Sequence, residues 1–204
     1  MSDEQPLDLH KGDALIIVDV QNDFLPGGTL AVAGANQIIS PLNRYIARFH
    51  ARGLPIFATR DWHPIDHCSF QASGGPWPKH CVAGTNGAAF APALALPEDA
   101  IVISKATTSD KDAYSAFEGT DLATRLSAAG VNRLFVGGLA TDYCVLNTVK
   151  DALTLGFDTR VLSDAVRAVE RKPGDGERAL SEMSERGAIM VEAEAAVDDQ
   201  RRSL

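Results

Sequence analysis

Asp19, Asp61, Lys105 and Cys144 each stand at the end of an apolar run: ALIIV, PIFATR, AIVIS and RLFVGG in turn. A thiol is a nucleophile, a carboxylate accepts its proton, and an ammonium offsets the charge that the transfer leaves behind. Together they are the parts of covalent acyl chemistry. If the four runs are parallel strands of one sheet, their carboxyl ends share an edge. Open α/β sheets bind ligands at that edge, in the crevice between the loops that leave the strands.

The surroundings of each residue sharpen this reading. Asp19 interrupts IIVDVQ, a run otherwise fit for a strand buried on both faces, and burying a lone carboxylate costs several kcal/mol. Lys105 has the same difficulty with opposite sign, so each solves the other's problem if they meet. The plainer alternative is a structural ion pair with no catalytic role. Cys144, in GGLATDYCV, is expected in the first turn of a helix capped by Thr141 or Asp142. Unpaired amides and the helix dipole there favour a thiolate and can hold an oxyanion. The competing reading is a buried cysteine acting as a small apolar residue.

A second cluster follows the second run. Asp61-x-His63, with His67 and His80 in the same loop, offers imidazole and carboxylate donors suited to a divalent transition metal. Three protein ligands leave positions open for water or substrate. Histidines that are simply hydrogen-bonded within a loop are the alternative. Cys68 and Cys81 flank the cluster and read as small packing residues, with soft metal ligands as the alternative.

Placing these groups requires alternating strands and helices. Ala14–Val20 reads as a strand buried on both faces. Ala35, Ile38, Ile39, Leu42, Ile46 and Phe49 recur at helical spacing until Gly53 and Pro55 stop the pattern. Pro55–Thr59 and Ile101–Ser104 are the next strands, followed by a helix from about Asp121 to Ala129. Arg133–Val136 is a fourth strand, Thr141 or Asp142 to Leu155 a helix, and Thr159–Leu162 a fifth strand. A helix near Asp175–Glu185 and a sixth strand at Ala188–Val191 complete the series. The expected fold is a three-layer α/β/α doubly wound domain with a mainly parallel six-stranded sheet. Residues 61–97 show no periodic element, and a loop this long in a compact domain is usually functional.

Composition bounds the function. At 204 residues, 45% hydrophobic and 23% charged, the chain is read as one globular domain spanning 1–204. Its core runs from about 13 to 191, and 192–204 form a polar tail. A net charge of −8 with no basic stretch argues against nucleic acid as a partner. The start lacks a secretory signal pattern and no run suggests a membrane span, so a cytoplasmic protein without a membrane partner is expected. Three cysteines are a poor disulfide framework and suit a reducing compartment. No G-x-G-x-x-G follows the first strand, which disfavours a nucleotide-binding module. A homo-oligomer is left open.

The segments ALIIVDVQNDFLPGG, TRDWHPIDHCSF, WPKHCVAGTNGAAF, DAYSAFEGT and VGGLATDYCV together resemble the nicotinamidase/pyrazinamidase branch of the isochorismatase-like cysteine hydrolases. The resemblance covers roughly residues 13–191. It implies a catalytic triad of Asp19, Lys105 and Cys144, with Asp61, His63 and His80 as metal ligands and His67 near the metal, ligating directly or through water. Zinc is the leading expectation for the ion, with iron and manganese as alternatives. Phe24, Trp77, Tyr114 and Leu139 fall at substrate-pocket positions. Leu139–Ala140 matches a non-prolyl cis peptide, and the amides of Ala140 and Cys144 match an oxyanion hole. The implied activity is hydrolysis of nicotinamide to nicotinate and ammonia through a cysteinyl thioester, within NAD salvage, with pyrazinamide as a second substrate. Ala106 departs from the glycine of many members, and the Asp61–His80 loop is compact. Two other readings are a related amidohydrolase acting on a different small amide, and a non-catalytic thiol redox sensor or binding domain.

Overall fold

The first strand is apolar on both faces because both are covered. In the computed structural model, which describes residues 8–192, all six residues of β1 (Asp13–Val18) are buried. Leu15 and Ile17 pack on one side of the sheet with Leu42, Tyr45 and Phe49. Ala14, Ile16 and Val18 pack on the other with Leu122, Leu126, Val149 and Met183. Each aliphatic side chain buried in this way stabilises the fold by about 1.5–3 kcal/mol.

The sheet continues with β2 (Ile56–Asp61), β3 (Ile101–Lys105), β4 (Arg133–Leu139), β5 (Asp158–Arg167) and β6 (Ile189–Val191). Their order is β3-β2-β1-β4-β5-β6, and every pairing is parallel. The chain winds outward from β1 to β3, then crosses to β4 on the other side of β1. That crossing is the topological switch point of the fold, where open α/β sheets form their ligand crevice.

Helix α1 (Ile39–Ala51) covers one face, helped by buried residues Cys81, Ala88, Ala91 and Leu94 of the long loop. Helices α2 (Leu122–Ala128), α3 (Leu146–Thr154) and α4 (Asp175–Glu185) cover the other. The three-layer architecture is thus as expected. The long loop does real covering work on the face that has one helix, which explains its lack of periodicity. Between Trp62 and Ala100 it holds a single 3-10 turn at Gln71–Ser73.

Several boundaries differ from expectation for local reasons. β1 stops at Val18 because Asp19 takes φ 50°, outside strand geometry. The α1 pattern opens with a 3-10 turn at Ala35–Ile38, and Gly53 at φ 63° ends it as predicted. β4 runs through Gly137 and Gly138 to Leu139 across a register shift, and β5 extends to Arg167. The expected tail lies outside the described residues from position 193 onward. Among the described residues no helix is long and apolar enough to cross a membrane.

Candidate active site

The four strands that end in reactive groups are neighbours in the sheet. Asp61 pairs in register with Lys105 across β2 and β3, Asp19 follows β1, and the Cys144 turn follows β4. The Lys105 ammonium, fully buried, lies 3.0 Å from Asp19 Oδ2 and also contacts Asp61 Oδ1. It donates to the Ala113 carbonyl at 3.0 Å and lies 3.4 Å from Cys144 Sγ. Asp19 Oδ1 accepts from the Thr59 hydroxyl at 2.6 Å. Its Oδ2 makes no well-aligned hydrogen bond, so a lone pair remains for the thiol. Donor atoms of Asp19, Asp61 and Cys144 lie within 4.8 Å of one another, and the lysine ammonium already supplies the cation for that group.

Burial and neighbouring charges push these groups in different directions. Burial weakens the Lys105 charge, but Asp19 and Asp61 overcome it and hold the amine well above its ordinary value. Burial raises Asp19 despite Lys105, and the Asp61 charge adds to the effect. For Asp61, burial is outweighed by Lys105 and His63, and the carboxyl falls well below the usual range. Burial also pushes Cys144 well above its ordinary value, with Asp19 and Asp61 adding to the effect and Lys105 opposing it. Burial and the two carboxylates thus oppose the thiolate that the helix dipole and unpaired amides were expected to favour. The expected helix cap is corrected. Thr141–Val145 form a π-helical turn after Ala140, with no side-chain cap, and the Asp142 carboxylate is bonded elsewhere. Leu139–Ala140 is a cis peptide, as the resemblance implied.

Asp61, His63 and His80 place their donor atoms within 4.8 Å of one another. His63 Nδ1 is 3.2 Å from the Ala106 carbonyl and His80 Nδ1 is 2.7 Å from the Pro78 carbonyl. Each contact selects the tautomer that leaves Nε2 as an acceptor. His63 Nε2 is buried without a hydrogen-bond partner, 3.6 Å from Asp61 Oδ2. An orphaned imidazole nitrogen facing a carboxylate oxygen fits a divalent ion held by two nitrogens and an oxygen. His67 is differently placed. Its Nδ1 is 2.8 Å from the Ser69 hydroxyl and its Nε2 is 2.9 Å from the Lys111 carbonyl, so neither nitrogen is free to ligate. Its ring stacks on His63 at 4.1 Å and steadies it.

Beside these groups is a small, mainly apolar cavity lined by Phe24, Trp77, Tyr114, Leu139, Ala140 and Cys144, among others. All the pocket residues expected from the sequence are present. Leu30, Val32, Tyr143 and Val169 also line it and were not anticipated. The Trp77 indole donates to Tyr114 Oη at 3.0 Å and meets Tyr143 edge-on at 5.2 Å. Gln21, also unanticipated, is fully buried. It accepts from the Asp61 amide at 2.8 Å and donates to the carbonyls of Asp61 and Ala88 at 2.8 and 2.9 Å. Its only sequence signal is a polar residue inside an apolar run. Phe70, 5.5 Å from both His63 and His80, has none.

An isochorismatase domain model matches residues 13–195, and the chain belongs to that family. The nicotinamidase of Escherichia coli (strain K12) is 39% identical over 198 residues, covering 87% of this chain and 93% of that protein. The pyrazinamidase of Pyrococcus horikoshii, solved in complex with zinc, is 54% identical with a TM-score of 0.86, covering 89% of this chain and 99% of that one. PnC1 from L. infantum, solved in complex with nicotinate, is 36% identical with a TM-score of 0.84, covering 92% and 96%.

Proposed function

We propose that the protein, as a single hydrolase domain, is a nicotinamidase that converts nicotinamide to nicotinate and ammonia by way of a Cys144 thioester. The observation that carries this reading is the meeting of Cys144 with Asp19 and Lys105 at the wall of an aromatic cavity, beside a ligand set that shares Asp61 with that lysine. Relatives named as nicotinamidase and pyrazinamidase support the same reaction; pyrazinamide as a further substrate and NAD salvage as the setting belong to this proposal.

The flat ring of the substrate packs among Phe24, Trp77, Tyr114 and Tyr143, which holds the carboxamide carbon near the sulfur and removes much of the entropic cost of attack. Asp61, His63 and His80 would hold a divalent ion, zinc on the precedent of the zinc-bound relative, whose Lewis acidity offers a docking point for the pyridine nitrogen. Asp19 accepts the Cys144 proton as the sulfur adds to the carbonyl carbon. The oxyanion forms against the backbone amides of Ala140 and Cys144. The C–N bond then breaks, the proton on Asp19 leaves with ammonia, and the thioester remains. Asp19 next takes a proton from the water that attacks the thioester and returns it to the sulfur as the C–S bond breaks, which regenerates the thiol and releases the acid, ionised to nicotinate in solvent. Lys105 keeps Asp19 and Asp61 oriented throughout and stays protonated.

Ammonia release from purified protein tests the reading. Nicotinamide is expected to turn over, prolonged chelation to abolish turnover, and benzamide, which lacks the ring nitrogen, to be a far poorer substrate. Equal rates on the two amides would remove the ion from substrate binding, and no release from nicotinamide would end the assignment.

A further inference from the structure

The turn that carries Cys144 is tied by one carboxylate to another segment that lines the pocket. Asp142, two residues before Cys144, sends its side chain to the segment between β5 and α4. Its Oδ1 accepts from the Val169 amide at 2.9 Å and its Oδ2 from the Glu170 amide at 3.1 Å. Two adjacent backbone N–H groups on one ionised carboxylate are charge-assisted bonds, stronger than neutral ones. Glu170 adopts φ 56°, a conformation a non-glycine residue keeps only where its surroundings enforce it. The Glu170 carboxylate in turn accepts from the amides of Gly174 and Gly176, both at 2.8 Å, which fastens the segment to the start of α4.

This strap reaches the substrate cavity at two points. Val169 lines the cavity, and the Arg171 guanidinium stands 5.4 Å from the centre of the Trp77 ring, within cation–π range. We infer that Asp142 is a positioning residue that sets the width of the pocket, clamping the 168–172 strap against the Trp77 wall and so restricting the site to a single small ring. The inference rests on the reading of the cavity as the pyridine carboxamide pocket. Asp142 takes no part in bond making, since both carboxylate oxygens are engaged by the strap.

The test compares nicotinamide with the bulkier 5-bromonicotinamide in wild type, Asp142→Ala and Asp142→Asn, with thermal melting as a check on folding. For Asp142→Ala, KM for nicotinamide is expected to rise about tenfold while kcat stays within about twofold, the scale of a lost charge-assisted bond felt in ground-state binding. The preference for nicotinamide in kcat/KM is expected to fall about fivefold, as when a wall of a small pocket loosens. Asp142→Asn keeps one acceptor oxygen and is expected to fall between; it carries the same test if Asp142→Ala does not fold. An unchanged KM and an unchanged preference in an active variant overturn the clamp, as does a fall in kcat alone. A wild type inert on both amides overturns the pocket assignment and the clamp with it.

Discussion

Asp61 serves two neighbours at once. Oδ1 engages the Lys105 ammonium, whereas Oδ2 faces the unpartnered His63 nitrogen at 3.6 Å. The proposed ligand set and the proposed triad are therefore joined through one carboxylate, and whatever fixes the Asp61 backbone fixes both. Gln21 does so with three buried hydrogen bonds. Gln21→Leu would strand those backbone groups at about 1–3 kcal/mol each. It is expected to weaken metal affinity about 10–100-fold, as loss of an outer-shell partner does. Competition with a chromogenic chelator measures this, and unchanged affinity would contradict the assigned role. Asp19→Asn keeps the shape but cannot accept the thiol proton. It is expected to lower kcat for ammonia release about 10²–10⁴-fold with nicotinate binding retained; near wild-type turnover would remove Asp19 as the base. Asp19, Asp61, Lys105 and Cys144 were legible because reactive groups at the ends of apolar runs are costly unless they meet. Gln21 was not, because its partners lie 40 and 67 residues away, and Phe70 was not, because an aromatic in a loop without periodicity carries no mark of the rings it packs against.

At the scale of elements, the switch point depends on a close approach of β4 to β1. Gly138 has φ 126°, and a Cβ there would lie 2.1 Å from the Val18 carbonyl oxygen. Both atoms are backbone-bound, so the strands would have to part just where Asp19 and the Cys144 turn begin. Gly138→Ala is expected to destabilise the fold by about 3 kcal/mol or more, read by urea unfolding, and to lower activity with it. A stability within about 0.5 kcal/mol of wild type, the range of neutral surface changes, would contradict the packing argument. The helical period of α1 and the unbroken apolar run of β1 announced those elements directly. The π turn at Thr141–Val145 did not announce itself, since its composition also suits an ordinary capped α-helix. Asp142 looked like a cap and is instead a tie to Val169 and Glu170, a partnership with no local pattern.

For the whole molecule, the strand order β3-β2-β1-β4 makes one charge cluster out of four distant segments, and folding is coupled to its ionisation. Asp61 has its carboxyl depressed below its ordinary value of 3.8. Its contribution is therefore present in full above that value and lost as pH falls from there towards the folded one. In metal-free protein, Asp61→Asn is expected to cost about 3 kcal/mol near neutrality, as removal of one buried partner does. The gap from wild type should hold down to about pH 4 and narrow below it. Urea titrations across pH check this, and a gap that widens on acidification would reverse the sign. The layered architecture was legible because alternating periods leave few topologies, whereas the Val169 wall of the pocket depends on how far β5 runs. The most direct test of the account is ammonia release by Cys144→Ala supplied with nicotinamide. The expected result is a folded protein that still binds nicotinate and releases no ammonia above the uncatalysed background; sustained turnover by that variant would contradict covalent catalysis by the sulfur.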